Sequence, residues 1–241
     1  MKYIIHTIPK RIWYVYNYLI PSMEKQGIDT DNIIIFNDNN NRGNLQSFLD
    51  SLDYIYNNEK DTKGFWHLQD DVIISKDFKE KTENINEDIT YNGFVNNTYA
   101  HVKKYGLVKP KEYWYSFPCV YIPNKYIADF MYWLDKIKTR EPYKRRYREG
   151  RYDDYFYYQF LKLYFPKDKM FNMKPNIVDH IDYLLGGTTG KRKNKPVRAE
   201  YFEDLDLVKE LEREIKNENK AKKTIPKNRD KRKTTRTNTK K

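Results

Sequence analysis

The sequence contains a single cysteine and no long apolar run, and each shortage excludes a class of protein. With Cys119 alone, an internal disulfide is excluded, and a reducing cytoplasm is the expected location, that of the host if the gene is phage-encoded. No run approaches the length of a membrane span, and the N-terminus lacks a long apolar segment, so neither a membrane helix nor a secretion signal is expected. The 23 tyrosines still supply ample core material.

Acidic residues are scarce at the C-terminal end. The net charge is +12, and residues 220–241 hold 11 basic residues against one acidic residue. This segment has no aromatic residue, so we expect a disordered basic tail, which would bind polyanions in a salt-dependent way or simply keep the chain soluble. The pattern predicts a folded domain over 1–190, a charged helix within 191–219 and the tail over 220–241.

The first 70 residues alternate buried strands with amphipathic helices. The strands are predicted over 2–8, 32–36 and 65–68, and the helices over 11–26 and 45–56. The first helix is expected to bury Ile12, Val15, Tyr16 and Leu19. This β-α-β-α-β order predicts an α/β fold with a mostly parallel central sheet covered by helices on both faces. Ligands bind beyond the carboxyl ends of such strands, so the loops after Ile8, Phe36 and Leu68 should share one edge.

The second half is less regular. Residues 136–151 are basic and predicted to be irregular, and residues 203–219 are predicted to form a charged helix. The remaining predictions are strands over 91–95, 113–122 and 175–181, and helices over 124–137 and 153–164.

Two adjacent carboxylates, Asp70 and Asp71, lie between the apolar runs 65–68 and 72–74. Buried carboxylates are costly unless a cation lies beside them. Mg²⁺ and Mn²⁺ prefer oxygen ligands, commonly one or two carboxylates together with substrate phosphates. The pair therefore predicts a divalent metal site, and the alternative is a pair that caps the following turn.

Other residues could contribute to the same chemistry. His180 follows a proline-led strand and could complete a Mn²⁺ site, although a lone histidine is often structural. Asp153 and Asp154 open a helix, where aspartate favours capping, and a carboxylate there could also act as a general base. The basic segment 144–151 could hold phosphates or be a solvated loop, and the glycine-rich turn 186–190 is a weaker candidate for phosphate contact.

The order of these features resembles the GT-A glycosyltransferases over about residues 1–190, in particular small bacterial and phage enzymes with a Leu-Glu-Asp-Asp-Val motif. The motifs are Leu68-Gln69-Asp70-Asp71-Val72, the late Asp153-Asp154 pair and Pro175-Asn176-Ile177-Val178-Asp179-His180. The resemblance implies a Rossmann-like nucleotide-sugar domain that uses Mn²⁺, or Mg²⁺, with a UDP-sugar as donor. Gln69 departs from the pattern, which usually has an acidic residue there, and the lost charge lowers the expected metal affinity.

The resemblance also implies roles for particular residues. Asp71, Asp70 and His180 would hold the metal, and Asp154, with Asp153 beside it, would be the catalytic base. The nucleotide-sugar would be surrounded by His6, Thr7, Pro9, Arg11, Asp38, Arg42 and Gln69. The acceptor or its phosphates would meet Arg145, Arg146, Arg148 and Trp114.

The acceptor expected from the basic tail is DNA, with a sugar (hexosyl or pentosyl) added to 5-hydroxymethylcytosine or a related base in phage DNA. The modified base would have to leave the stack to reach the cleft. The alternative acceptor is a cell-surface glycan or protein, with the tail on anionic lipid. A different class stays open: a DNA-binding protein or a metal-dependent nuclease, which often has a catalytic lysine near its acidic pair, although Lys76 lies beyond the second apolar run. We expect a monomer.

Overall fold

The computed structural model describes residues 1–96, 105–108, 117–164, 170–186 and 196–224. The chain divides into two compact units, Met1–Leu205 and Asp206–Lys241. The site lies in the first unit. Within the described residues, no helix is both long and apolar enough to cross a membrane.

A seven-stranded mixed sheet forms the centre of the first unit, in the order β2-β1-β3-β7-β5-β8-β6, and β4 pairs with β9 in a separate two-stranded sheet. Five of the seven strands run in one direction, and only β6 and β7 run against them. The strands are β1 (Lys2–Thr7), β2 (Ile33–Asn37), β3 (Gly64–Gln69), β4 (Val72–Ile74), β5 (Thr90–Asn92), β6 (Gly106–Val108), β7 (Cys119–Pro123), β8 (Met170–Asn172) and β9 (Val178–His180). The predicted parallel arrangement of the first three strands is confirmed, so the loops after them share one edge.

Helices cover both faces of the sheet. The helices are α1 (Ile12–Tyr14), α2 (Ile20–Lys25), α3 (Asn44–Asn58), α4 (Phe78–Glu83), α5 (Ile127–Ile137), α6 (Tyr143–Glu149), α7 (Asp153–Tyr164) and α8 (Leu205–Thr224). On one face, the rings of Phe48 of α3, Phe130 of α5 and Tyr157 of α7 pack on one another, and Tyr157 meets both phenylalanines edge to face, with Phe130 and Tyr157 ring centroids 5.4 Å apart. On the other face, Tyr3 packs on Phe78 of α4. This aromatic packing, together with aliphatic burial, holds the layers together.

The first predicted helix is present, and the prediction for its buried face is confirmed except at Tyr16. Val15 and Leu19 are buried, Ile12 is half-buried, and Tyr16 is 55% exposed, while Tyr14 and Met23 are buried in addition. A π turn over Val15–Leu19 joins α1 to α2, and its extra residue shifts the helical phase. The prediction for Tyr16 was therefore wrong, because it assumed an uninterrupted 3.6-residue period.

The basic segment 136–151 is largely helical, which corrects the prediction of an irregular stretch. The last turn of α5 ends at Ile137, and α6 extends to Glu149. Gly150 ends α6 in the left-handed conformation, with φ of 65°, which glycine adopts without steric cost. The half-buried Tyr143 and Tyr147 pack against the aromatic core, so tertiary packing stabilises a helix whose charge pattern indicated a loop.

The C-terminal boundaries also differ from the predicted ones. Residues 196–204 return to the first unit, where Glu200 N donates to Val95 O and Asn176 N donates to Tyr201 O. The boundary between the units therefore follows Leu205 instead of residue 190, because backbone pairing with distant strands cannot be read from local composition. The charged helix, predicted over 203–219, is α8 and extends to Thr224, so the first residues of the predicted tail are helical. Residues 225–241 lie outside the described residues.

Candidate functional site

Two short elements bring distant parts of the chain to the carboxyl edge of β1 and β3. Asp70 and Asp71 form the turn between β3 and β4. In the antiparallel pair of β4 and β9, Val72 lies opposite His180. Ile181 N donates to Asp71 O at 2.8 Å and extends this pairing by one step. The register of the small sheet thus places His180 beside the acidic turn.

A buried group of charges results, which we call the charged cluster: Asp70, Asp71, Asp182, Arg11 and His180. Arg11 Nη1 donates to Asp70 Oδ1 at 3.0 Å and to Asp71 Oδ2 at 2.5 Å. Arg11 Nη2 donates to Asp182 Oδ1. Arg11, Asp70 and Asp71 are all buried, and three carboxyl groups share one guanidinium. The cluster has more acidic than basic groups, which favours an additional cation.

Asp70 is held from several sides. Its Oδ2 atom accepts from Thr7 Oγ1 at 2.8 Å and from Ile8 N at 3.2 Å, and its Oδ1 atom accepts from Arg11. Burial, followed by the neighbouring Asp71, raises the pKa of Asp70 to about 6. Both of its oxygens are hydrogen-bonded, so Asp70 anchors the loop after β1 to the loop after β3. A metal at Asp70, as predicted, would have to share Oδ1 with Arg11, since Oδ2 already accepts two bonds.

Asp71 and His180 form the closest match to the predicted metal site. Asp71 Oδ1 lies 3.3 Å from His180 Nε2 and makes no hydrogen bond to the described residues. Burial alone would raise the pKa of Asp71, but His180 and Arg11 overcome it and hold the pKa well below the usual range. Burial opposes the charged form of His180, yet Asp71 outweighs burial and raises the pKa of the imidazole.

The ring of His180 is oriented by its surroundings. It packs edge-on to Phe94 with ring centroids 5.9 Å apart, and its Nε2 atom faces Asp71 Oδ1. After Asp71 and Asp182, the backbone of Val197 also contributes to the raised pKa of the imidazole.

The donor set fits a divalent cation in part. Among the described residues, no three histidine, cysteine, aspartate or glutamate side chains are arranged so that they could hold a metal ion. Two candidate ligands nevertheless lie together, because the buried Asp71 Oδ1 lacks a hydrogen-bond partner among the described residues and faces His180 Nε2. Mg²⁺ and related ions are often held by one or two protein groups and by substrate phosphates. These residues fit such a shared site, with the missing ligands supplied by a diphosphate.

Of the predicted nucleotide-sugar residues, all except His6 lie in or beside the loops at the carboxyl edge of the sheet. Thr7 contacts Asp70 of the charged cluster. Asp38 lies next to Thr7, because Asp38 N donates to Thr7 O at 2.8 Å. Gln69 ends β3 directly before the acidic turn, the exposed Pro9 lies in the loop after β1, and Arg42 pairs with Asp38 and Asp50.

His6 is placed differently from these residues. Successive side chains of a strand point to opposite faces, so His6 projects away from the face that carries Thr7. Its Nδ1 atom lies 2.8 Å from Ser47 Oγ, under α3, and its ring stacks on Phe36. The prediction that His6 surrounds the nucleotide is therefore wrong in this structure, because the strand alternation directs it into the core.

The candidate base residues differ in exposure. Asp153 is 3% exposed, and burial, followed by Asp154, raises its pKa to about 8. Asp154 is half-buried. Both follow Gly150, whose carbonyl accepts from Leu45 N at the start of α3. They therefore lie near the loop after β2, at the carboxyl edge of the sheet.

The predicted acceptor residues are only partly available. Arg146 stacks on the ring of Tyr155, with 4.3 Å from its Cζ atom to the ring centroid, and donates to its hydroxyl. Arg145 is exposed and pairs with Glu149. Arg148 is exposed and has no carboxylate partner among the described residues. Trp114 and most of the glycine-rich turn lie outside the described residues.

Two acidic residues near the site were missed by sequence reasoning. Asp182 contacts Arg11, and the buried Asp179 accepts from Arg198 Nε at 2.6 Å and from Ala199 N at 2.8 Å. Asp179 anchors β9 to the returning segment 196–204, and thereby helps position His180. The sequence did contain a signal for these residues. In Asp179-His180-Ile181-Asp182, three polar residues surround the buried Ile181, which indicates a polar site at the end of the strand.

Comparisons with known proteins add little to this site. No family model and no curated protein matches the sequence. Among solved structures, the chain is similar to A197 from STIV, with 15% sequence identity and a TM-score of 0.41, over 75% of this chain and 85% of that one. A similarity of this extent carries no functional inference.

Proposed function

We propose that the chain is a metal-dependent glycosyltransferase of the GT-A type, which moves a sugar from a UDP-sugar to an acceptor hydroxyl. The observation that carries the proposal is the convergence of Asp71 and His180, 3.3 Å apart, beyond the carboxyl ends of β1 and β3. This edge is where α/β sheets bind nucleotides. A divalent cation bound there would neutralise the diphosphate as it leaves the sugar.

The residues of the chain have separable roles in this proposal. Asp71 and His180 hold the metal, and Thr7 and Ile8 N fix Asp70 so that the two loops keep their spacing. Asp154 accepts the proton of the acceptor hydroxyl if the reaction inverts the sugar. Asp153 is a poor base at neutral pH, because its raised pKa keeps it protonated there.

The test is an assay of UDP release from a panel of UDP-sugars with Mn²⁺, with and without acceptor. Asp71→Asn should lower turnover on the order of 100- to 1000-fold, because it removes a charged ligand. This loss corresponds to an activation free energy that is higher by about 3–4 kcal/mol. Asp77→Asn is the matched control, since Asp77 is a partly exposed residue paired with Lys81. An Asp71→Asn protein as active as wild type would refute the metal site.

For the acceptor, we propose DNA that carries hydroxymethylated pyrimidines, and the outer side of α6 supports this choice. Lys144 and Arg148 are four residues apart on α6, so they share one face of this helix, about 6 Å apart along its axis. Arg140 lies in the turn before α6, where Lys144 N donates to Arg140 O. The three cations have no carboxylate partner among the described residues, and the sequence adds the basic residues of 220–241.

Nucleoside mass spectrometry after incubation with modified and unmodified DNA tests this acceptor. DNA binding should weaken steeply between low and high salt, because phosphate contacts release counterions. Arg148→Gln should weaken binding to all DNA sequences about equally, whereas Arg213→Gln, on the separate helix α8, serves as a charge-matched control. Transfer to a glycan or a protein, with DNA unmodified, would favour the alternative acceptor on a cell surface.

The nuclease alternative is not favoured by the position of Lys76. Lys76 N donates to Asp204 Oδ2 at 2.8 Å, and its ammonium lies 3.4 Å from Asp204 Oδ1. It follows β4 at the end opposite to Asp71. Cleavage of plain DNA with Mg²⁺, without release of UDP from any UDP-sugar, would nevertheless overturn the transferase.

A further inference from the structure

Arg11 lies among the carboxylates that a divalent cation would use. Its guanidinium contacts Asp70, Asp71 and Asp182, and its side chain is only 4% exposed. The Arg11 Nε atom is buried and has no hydrogen-bond partner among the described residues. Within the described residues, the ion pairs of this guanidinium therefore come from its two terminal nitrogens, and each of them goes to a carboxylate.

The contacts at Asp71 are divided between its two oxygens. Arg11 Nη1 takes Oδ2 at 2.5 Å, and Oδ1 is left facing His180. A divalent cation on Asp71 would lie next to the guanidinium. Repulsion between like charges is strong where water is excluded. The Arg11 guanidinium would therefore lower the affinity of Asp71 for a divalent cation.

A diphosphate offers Arg11 an alternative partner. The planar guanidinium forms two parallel hydrogen bonds with phosphate oxygens as readily as with carboxylates. Arg11 also starts the helix directly after the loop that follows β1, so it lies at the edge where the donor is expected. A change of partner from carboxylate to phosphate would conserve its hydrogen bonding.

Building on the proposed function, we propose that Arg11 is a positioning residue that competes with the cation for Asp71 until the donor arrives, and then exchanges the carboxylate of Asp71 for the donor diphosphate. The exchange requires no covalent step. It makes the metal and the nucleotide depend on each other, because each is disfavoured while Arg11 remains on Asp71. By linkage, the nucleotide must then raise the metal affinity by the same factor as the metal raises the nucleotide affinity.

The experiment measures Mn²⁺ binding to the full chain from the electron paramagnetic resonance signal of free Mn²⁺, with and without UDP. Arg11→Met should bind Mn²⁺ alone at least tenfold more tightly than wild type, since the competing charge is gone. In wild type, UDP should raise the Mn²⁺ affinity at least tenfold, and in Arg11→Met the increase should be several-fold smaller, because only direct ligation of Mn²⁺ by the diphosphate then remains.

Lys10→Met is the matched control. It removes the same charge one residue away, where the ammonium is exposed and donates to Gly186 O. Lys10→Met should keep the wild-type Mn²⁺ affinity and the wild-type response to UDP. A change equal to that of Arg11→Met would mean that long-range charge, and not the contact with Asp71, controls metal binding, and the proposal would be refuted.

The experiment distinguishes a folding defect of Arg11→Met from failure of the exchange, and failure of the exchange from failure of the proposed function. If Arg11→Met does not fold, Arg11→Lys keeps the charge without the planar fork and should reduce the response to UDP, and the wild-type coupling can be measured without any variant. Equal Mn²⁺ affinity in wild type and Arg11→Met, with Asp71-dependent turnover intact, overturns the exchange but leaves the proposed function standing. Absence of Mn²⁺ binding from every protein, with or without UDP, overturns both the exchange and the metal site.

Discussion

The rings of His6 and His67 lie on the adjacent strands β1 and β3 with their centroids 4.4 Å apart. Three of their four nitrogens are buried and have no hydrogen-bond partner among the described residues, and the fourth, His6 Nδ1, lies 2.8 Å from Ser47 Oγ. Burial lowers the pKa of His6 to about 3, and burial, followed by His6, lowers the pKa of His67. Both imidazoles are therefore neutral in the folded protein at neutral pH.

This pair predicts loss of stability in mild acid. The unfolded chain binds protons as the pH falls through 6.5, while the folded chain does not, so stability is complete above pH 6.5 and declines towards pH 3. A histidine that stays neutral in the native state costs about 2 kcal/mol at pH 5. His67→Phe suits the surrounding rings of Phe48 and Phe117 and should flatten the decline. Urea unfolding between pH 4 and pH 8 measures it, and an unchanged slope would contradict the prediction.

Thr7 is predicted to stabilise the turn that carries the acidic pair. Its hydroxyl donates to Asp70 Oδ2 at 2.8 Å in a buried setting. Thr7→Val keeps the shape and removes the donor, which should cost about 2 kcal/mol of unfolding free energy, as is typical of hydrogen bonds to charged groups. Thr7→Ser retains the hydroxyl and should cost less than half as much. Equal losses in both variants would show that the methyl group matters and the hydrogen bond does not.

Asp153 and Asp154 should respond differently to replacement by asparagine. Since the folded pKa of Asp153 is raised to about 8, its burial costs stability progressively as the pH rises from about 4 to 8. Asp153→Asn should therefore be more stable than wild type at pH 8 and remain active. Asp154→Asn should lose at least about 100-fold in turnover, within the range for a general base. Thermal unfolding and UDP-release assays at pH 6 and pH 8 check both, and the reverse pattern would make Asp153 the base.

Gly43 is predicted to be necessary for the loop after β2. Its φ is +96°, and a Cβ there would lie 2.6 Å from Gly150 O, a backbone atom that cannot rotate away. Gly43→Ala should cost about 2–4 kcal/mol of unfolding free energy, from overpacking and left-handed strain together. It should also raise KM for the UDP-sugar, because Asp38 Oδ2 accepts from Gly43 N.

Gly106→Ala is the control that separates the two causes. Gly106 has a similar φ of +77°, and no described heavy atom lies within 4 Å of its hypothetical Cβ. Its cost should be limited to backbone strain, about 1–2 kcal/mol. If both variants lose the same stability, the close approach of Gly43 to Gly150 contributes nothing.

Much of the N-terminal half could be predicted from local pattern. Continuous apolar runs and amphipathic spacing are decided within short windows, so β1, β2, β3 and α3 appear close to their predicted bounds. The shared edge of their loops follows from parallel pairing, which the β-α-β-α-β order favours strongly. The helical state of residues 143–149 could not be predicted in this way, because packing of its tyrosines on the core overrides its charge pattern.

By itself, the sequence determined that an acidic pair follows a buried strand and that His180 lies in a later one. Only the tertiary structure decided that Asp71 and His180 meet, through the register of β4 with β9, and that His6 faces away from them. It also decided that Arg11 is shared among three carboxylates. The physical reason is range: hydrophobic period and strand alternation act over a few residues, whereas register and ion pairing join residues from opposite ends of the domain.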